Sequence, residues 1–187
     1  MAKIGLKNFG YSLLDAQDNV TQEESFGKAV SCKVTIEKNE AVLYADDSVA
    51  ESDYSFKKGT VTLEVDDDRD EVFAKILGHT IGAGADDNSG EIVRKDTDTA
   101  PYVALGRILT KVVGGVRQYK VEFLHKVKFK EPDSDETTKG DNLEFKTTTI
   151  EGTIMALADG TWSKSKTFTD YNQAKTYLSG LLTANNA

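Results

Sequence analysis

The stretch YVALGRILTKVVGGVRQYKVEFLHKVKF, residues 102–129, decides the fold class of this chain. Its second half alternates between two kinds of side chain. One face carries mostly apolar and aromatic groups: Tyr119, Val121, Phe123, His125, Val127 and Phe129. The other face is mainly charged: Lys120, Glu122, Leu124, Lys126, Lys128 and Lys130. This period of two predicts a β-strand about 35–40 Å long, with the lysines on its solvated face.

The first half of the stretch, Tyr102–Val113, is apolar on both faces apart from Arg107, Thr110 and Lys111. Gly114-Gly115 joins the two halves, and two glycines readily adopt the positive φ angles that a two-residue hairpin loop requires. The sequence therefore predicts a long β-hairpin.

Other strands follow the same period. Val30, Cys32, Val34 and Ile36 alternate with polar residues, as do Val61, Leu63 and Val65. Residues 4–14 are predicted to form a further strand or an extended N-terminal arm. A second hairpin is predicted from two strands, residues 143–157 and 161–168, joined by a turn at Asp159-Gly160. The first strand has a bulge near Thr149-Ile150. Trp162 is the apolar anchor of the second strand.

Two short helices are predicted. Asp66-Asp67-Asp68 precedes residues 71–77, whose apolar stripe is Val72, Phe73, Ile76 and Leu77, and Gly78 ends the helix. The second helix is capped at Thr169 or Asp170 and has this apolar stripe: Ala174, Tyr177, Leu178, Leu181 and Leu182. The predicted class is α+β, predominantly β, with helices covering an antiparallel sheet.

Composition limits the possible functions. The chain has 187 residues, which predicts a single domain over residues 1–187, and a formal net charge of −8. An acidic chain gains nothing from counterion release on nucleic acid, so sequence-reading recognition of DNA or RNA is not expected. No run approaches the roughly 20 apolar residues of a membrane helix, and Met1–Gly5 does not begin a signal peptide. The single cysteine, Cys32, allows no internal disulfide and suits a reducing cytoplasm.

The sequence offers no recognisable catalytic or metal site. His79 and His125 are far apart and have no ligand spacing; His125 is predicted to be a packed strand residue and His79 to follow the helix cap. Asp66, Asp68 and Asp70 have calcium-loop spacing, but Glu71 replaces the required glycine, and the Asp133 region lacks the closing glutamate. No serine lies in a nucleophile elbow, and Gly82–Ala85 lacks the phosphate-loop lysine. We therefore expect neither an enzyme nor a cofactor.

Three polar segments interrupt the strand pattern: residues 45–58, 82–90 and 131–142. Loops longer than about 12 residues are uncommon in compact domains and are usually functional or disordered. Partners outside the subunit are the simplest reason for them. Long strand edges also promote aggregation unless they are covered.

An ordered series of short segments resembles the major tail proteins (tail-tube proteins) of siphophages that infect Gram-positive bacteria. The series is Ile4–Asn8, Leu43–Asp47, Glu51–Asp53, Gly59–Leu63, Val72–His79, Ala100–Val103, Glu122–Phe129 and Gly160–Trp162. The resemblance implies a β-sandwich or partial barrel with a flanking helix. It also implies hexameric rings stacked into a hollow tail tube, a virion structure made in the host bacterial cytoplasm.

The resemblance further implies the partners: copies of the same chain, a tape-measure protein inside the tube, and tail terminator and initiator proteins at its ends. DNA passes through during ejection without specific binding, and acidic walls would suit that passage. The long loop at 45–58 would reach the next ring, and 131–142 is the second contact. The candidate contact residues are Asp46, Asp47, Glu51, Asp53, Tyr54, Phe56, Asp133, Asp135 and Glu136.

Other functions remain open on the sequence. A tube component of a contractile or secretion-type system would have similar architecture. A monomeric carbohydrate- or ligand-binding module would use Trp162 and the seven tyrosines as stacking faces. A small hydrolase is the third alternative.

Overall fold

The computed structural model describes residues 2–45, 48–66, 69–82, 90–133 and 147–183. The strands are β1 (Ala2–Leu14), β2 (Val20–Ser25), β3 (Ala29–Ala45), β4 (Ser48–Val65), β5 (Thr80–Ile81), β6 (Ile92–Val93), β7 (Tyr102–Val113), β8 (Val116–Phe129), β9 (Thr148–Met155) and β10 (Ser163–Phe168). The helices are α1 (Asp70–Leu77) and α2 (Tyr171–Leu182).

One antiparallel sheet contains all strands except the small β5–β6 pair, in the order β2-β1-β7-β8-β9-β4-β3. The predicted β7–β8 hairpin is confirmed: Val113 pairs with Val116, and Gly114 and Gly115 both have positive φ angles. These strands, with two short helices, confirm the α+β, predominantly β class.

The sheet branches at β8. One side of β8 pairs with β7, while the other side pairs with β10 over Tyr119–Leu124 and with β9 over Lys126–Phe129. The predicted second hairpin is therefore wrong in its pairing, although the turn at Gly160 is present, with a φ of 82°. The reason is that β9 already pairs with β4 and β8, so β10 continues along the edge of β8 instead.

A bulge in β8 changes which side chains of the strand point into the main core. Val103 pairs with Val127 but Leu105 pairs with Leu124, so β8 has one residue more than β7 between these pairs. Such a bulge turns the following side chains to the opposite face. Phe123 consequently faces α2, whereas Val127, which a strict period of two would place on the same face, packs in the main core together with Leu124. The sequence pattern had predicted one uniform alternation.

The main core contains side chains from both halves of the sheet. It joins side chains of β1 and β7 to those of β4 and β9, with α1 packed against them. Phe26 is its aromatic centre: its ring centroid lies 5.4–6.5 Å from those of four neighbours, Phe9, Tyr11, Phe73 and Phe129. Arg107 of β7 links the halves, since its Nη1 donates to the Cys32 carbonyl of β3 at 3.1 Å.

A second apolar cluster lies under α2, on the other face of β7 and β8. Its buried residues are Ala104, Ile108, Val121, Phe123, Ala174, Leu178 and Leu182. The helix lies so close to β7 that a Cβ atom at Gly106 would be 2.3 Å from Leu178 Cδ1. A larger residue than glycine at position 106 would therefore force the buried Leu178 side chain to shift.

Both helices occupy the predicted positions. All four residues of the α1 stripe are buried, and Gly78 ends the helix with a φ of 80°. The side chain of Asp170 caps α2 by accepting from the Gln173 amide at 2.9 Å. Among the described residues, neither helix has the length and apolarity to cross a membrane.

Candidate assembly surface

The most unusual feature of the molecule is a two-stranded extension of β3 and β4, here called the arm, comprising residues 38–45 and 48–57. In the body of the protein β4 pairs with β9 only over Gly59–Val65. On the N-terminal side of Gly59, the two strands of the arm pair only with each other within the described residues. Their pairs run from Lys38↔Phe56 to Ala45↔Ser48.

The prediction of an irregular loop over residues 45–58 is therefore wrong: residues 48–58 lie in a strand. The sequence pattern failed here because alternation marks a strand with one buried and one solvated face. Of the arm side chains that are described, only Phe56 is not exposed, so polar residues are accepted on both faces of these strands.

The arm is long for a structure with only two strands. The ten residues 48–57 of β4 span about 30 Å at roughly 3.4 Å per residue. An isolated two-stranded hairpin is at best marginally stable in water. The arm therefore has much backbone edge to offer a partner and gains little stability from its own subunit.

The base of the arm, in contrast, is firmly attached to the body. The rings of Phe56 and Trp162 stack with centroids 5.2 Å apart and an angle of 6° between their planes. Trp162 packs against the main core, and its carbonyl accepts from the His125 amide at 3.0 Å. Lys58 and Glu37 form an ion pair at 3.5 Å.

The part of the arm beyond its base is acidic. Residues 40–56 contain five acidic residues and no lysine or arginine: Glu40, Asp46, Asp47, Glu51 and Asp53. The hydroxyl of Tyr54 donates to Glu40 Oε1 at 3.0 Å, and the Lys38 ammonium lies 6.0 Å from the Tyr54 ring. Tyr54 is 54% exposed.

The candidate contact residues have different positions in the structure. Glu51 and Asp53 lie in β4, where they pair with Leu43 and Ala41. Asp133 is exposed beyond the end of β8, and no described hydrogen bond or ion pair joins it to the arm. Four candidates lie outside the described residues: Asp46, Asp47, Asp135 and Glu136. Most of the predicted loops 82–90 and 131–142 lies outside them too.

The lysines of β8 do not form the predicted solvated face. Lys120 Nζ lies 2.7 Å from Glu122, Lys126 Nζ lies 2.7 Å from Asp18, and both lysines are half-buried. Lys128 Nζ lies 5.4 Å from the centre of the Tyr102 ring. These lysines are neutralised within the subunit or held on an aromatic ring, so they are poorly placed to bind an anionic polymer.

A charged cluster connects β7, β8 and β3. Arg107 donates to Glu122 through Nε at 3.0 Å and Nη2 at 2.7 Å. Burial alone would raise the pKa of Glu122, but hydrogen bonds and charges from Lys120 and Arg107 outweigh it and lower the pKa. Burial raises the pKa of the Cys32 thiol, which disfavours its reactive thiolate.

His79 has contacts that the sequence did not predict. Its Nδ1 lies 2.9 Å from Asp98 Oδ2 and its Nε2 lies 2.5 Å from Glu131 Oε1, while its side chain is 5% exposed. The hydrogen bond with His79 lowers the pKa of Asp98. The three residues are separated by 19 and 33 positions and share no motif, so no sequence signal could have joined them. His79, just after α1, is thus held by Asp98 and lies beside Glu131, which follows β8.

His125 is half-buried and packs edge-on against Phe123, with ring centroids 4.9 Å apart, as a packed strand residue should. Burial lowers its pKa, and the charge of Lys164 lowers it further. In the described part of the chain, no three His, Cys, Asp or Glu side chains are arranged to hold a metal ion.

The chain matches no known family model, and no curated protein is significantly similar to it in sequence. The structural features described above are therefore the basis for any functional proposal.

Proposed function

We propose that this protein is a tube-forming structural subunit, the tail-tube protein of a long-tailed bacteriophage, which works by assembling with copies of itself. The observation that carries the proposal is the arm. Its two strands pair with each other over about 30 Å, and among the described residues they pair with no other strand of the sheet.

The edges of the sheet support the same proposal. The end strands of the sheet are β2 and β3, and each has one side that pairs with no described strand. Exposed edges promote pairing with another chain unless they are covered. In a closed ring of identical subunits, each copy would cover an edge of its neighbour, and the ring arrangement would leave no edge open.

The arm and the edges would then have separate roles. Edge contacts would join six copies into a ring, and the arm would reach the next ring of the stack. By the sequence resemblance, the tube would enclose a tape-measure protein, end at terminator and initiator proteins, and carry DNA during ejection. The pairing of the β8 lysines with acidic residues supports passage of DNA without binding. A contractile or secretion-type tube would use the same contacts.

A carbohydrate-binding module finds less support. Stacking against a sugar would require an open aromatic face, and Trp162 already stacks on Phe56 and packs against the core.

Shortening the arm tests the proposal. Residues 39–55 are replaced by Asn-Gly, so that Lys38 and Phe56, which pair across the hairpin, flank a two-residue turn. This change keeps the contact between Phe56 and Trp162. We expect a folded protein with the circular dichroism spectrum of a β-rich chain that forms no tubes in negative-stain electron microscopy.

The matched control is Val116→Ser, which removes a 56% exposed apolar side chain at the β7–β8 turn and leaves the arm intact. The control should form tubes as the unmodified protein does. Tubes of normal length from the shortened protein would refute the role of the arm.

A further inference from the structure

A groove of about 690 Å³ lies on the side of the body where β1 has an unpaired edge. Its lining includes Lys7, Asn8 and Phe9 of β1, the connection between β2 and β3, and the first turns of α2. Strand β2 covers β1 only from Gly10 to Leu14. Among the described strands, residues 2–7 of β1 pair with β7 alone, so their other edge is unpaired beside the groove.

The shape of the groove follows from a bulge in β1. Lys7 pairs with Ile108 but Gly10 pairs with Gly106, which leaves one additional residue in β1. Asn8 adopts a φ of 47° within this bulge, and the Tyr171 hydroxyl of α2 donates to Asn8 Oδ1 at 3.0 Å. The bulge and this hydrogen bond place Asn8 and Tyr171 together in the wall of the groove.

Basic side chains outnumber acidic ones in the lining of the groove. Three exposed lysines line it: Lys7, Lys28 and Lys175. Lys28 lies 4.0 Å from Asp66, Lys7 Nζ lies 5.6 Å from the Tyr171 ring, and no described ion pair involves Lys175.

The two glutamates of the groove already have partners. Glu24 accepts from Lys75 Nζ and from the Tyr11 hydroxyl, both at 2.8 Å, and Glu23 accepts from the Ser179 hydroxyl. Hydrogen bonds from Lys75 and Tyr11 outweigh the effect of burial and lower the pKa of Glu24. Lys75 thus balances the charge of Glu24, whereas the Ser179 hydroxyl leaves the charge of Glu23 in place. Three lysines therefore line the groove with one glutamate whose charge no described cation balances.

We infer that this groove receives the arm of a second copy of the chain, with the acidic strands of the arm lying along the unpaired edge of β1. The inference rests on the proposed function and names the surface that the arm contacts. Two properties of the arm fit the groove. Residues 40–56 carry five acidic and no basic residues, complementary to the three lysines. Within the described residues, each strand of the arm also has one edge that pairs with no other strand, and such an edge can extend a sheet by adding a strand.

Charge reversal tests the inference. The groove variant carries Lys7→Glu, Lys28→Glu and Lys175→Glu. The arm variant carries Glu40→Lys, Glu51→Lys and Asp53→Lys. Each variant alone places like charges across the contact, so the concentration needed for tube formation should rise at least about tenfold. Combining all six substitutions in one chain restores opposite charges and should restore tubes.

The control for the groove variant is Lys33→Glu, Lys95→Glu and Lys164→Glu, which changes the net charge equally at three exposed sites outside the groove. This control should assemble at the concentration of the unmodified protein. The control tests the effect of net charge, because the six-substitution chain has the same net charge as the unmodified protein. Restoration of tubes in that chain then distinguishes a direct contact from a loss of folding.

The possible outcomes separate this inference from the proposed function. If the unmodified protein forms no tubes, the proposed function fails. If the unmodified protein and the groove variant form tubes equally well, only the acceptor groove is refuted. If the groove variant assembles normally but no longer binds a DNA oligonucleotide that the unmodified protein binds, the groove is a nucleic-acid site and the inference is wrong.

Discussion

Phe56 and Trp162 stack face to face, with ring centroids 5.2 Å apart and planes 6° from parallel, where the arm leaves the body. Phe56 belongs to β4, and Trp162 lies between the Asp159-Gly160 turn and β10. The contact fixes the base of the arm and therefore the direction in which the arm projects. An arm that must reach another subunit needs such a fixed base, because a freely moving arm would lose more entropy on binding.

The stacked pair should show a measurable coupling. Phe56→Ala and Trp162→Ala should each lower the free energy of unfolding, and a double-mutant cycle by urea denaturation should give a coupling of about 0.5–1.5 kcal/mol. In assembly assays, Phe56→Ala should reduce tube formation more than Phe56→Tyr, which keeps the ring. Fully additive losses in the cycle would mean that the two rings contribute separately.

Strand β8 should not accept a charge at its buried positions. Val121 is fully buried under α2 and Phe123 is 2% exposed. Val121→Asp or Phe123→Asp places an unpaired carboxylate there, and we expect a loss of at least about 4 kcal/mol or complete unfolding. Arg117→Asp, at an exposed position of the same strand, is the control and should melt within a few degrees of the unmodified protein. A folded Val121→Asp protein of equal stability would contradict the described packing.

The close approach of α2 to β7 predicts a contrast between two glycines. Gly106→Ala should destabilise the protein by about 1–3 kcal/mol, because the added Cβ would lie 2.3 Å from Leu178 Cδ1. Gly180→Ala adds a methyl group in open space within the helix and should stabilise it by up to about 1 kcal/mol. Thermal denaturation measures the melting temperatures of both variants. Equal effects of the two substitutions would argue against the close packing of α2 on β7.

Acid should weaken the cluster around Glu122. The pKa of Glu122 is held below its usual 4.5 in the folded state, so the cluster contributes its full stability above about pH 4.5. That contribution is lost as the pH falls through the lower, folded-state pKa. Glu122→Gln should cost about 1–3 kcal/mol at pH 7, and the difference from the unmodified protein should shrink below about pH 4.5. Urea denaturation at pH 7, 5, 4 and 3 measures the difference in the free energy of unfolding, and Glu91→Gln, at an exposed position, is the control. A pH-independent difference would contradict the assignment.

The sequence predicted those parts of the fold in which the local conformational preference of the residues and their pattern of burial indicate the same structure. Gly114-Gly115 fixed the β7–β8 turn, and Gly78 fixed the end of α1. The arm was missed because its described side chains, apart from Phe56, are exposed, so polar residues occur there without the alternation that marks a half-buried strand. The change of face at Leu124 was missed because a bulge depends on pairing with β7, which the sequence of β8 alone does not contain.

The candidate site was predictable in position but not in form. Polar composition marked residues 45–58 as a region for partners, and Tyr54 and Phe56 are in the arm. The lysine groove could not be predicted, because Lys7, Lys28 and Lys175 are brought together only by the packing of α2 beside β1. The pairing of β10 with β8 likewise depends on which strand edges remain open after β9 has paired.

The central claim, that unpaired strand edges and the arm find their partners in copies of the same chain, is tested most directly by negative-stain electron microscopy of the concentrated full-length protein. We predict hollow tubes built of stacked rings, with a regular axial repeat. Single copies at millimolar concentration, each with its arm packed against its own body, would contradict the claim.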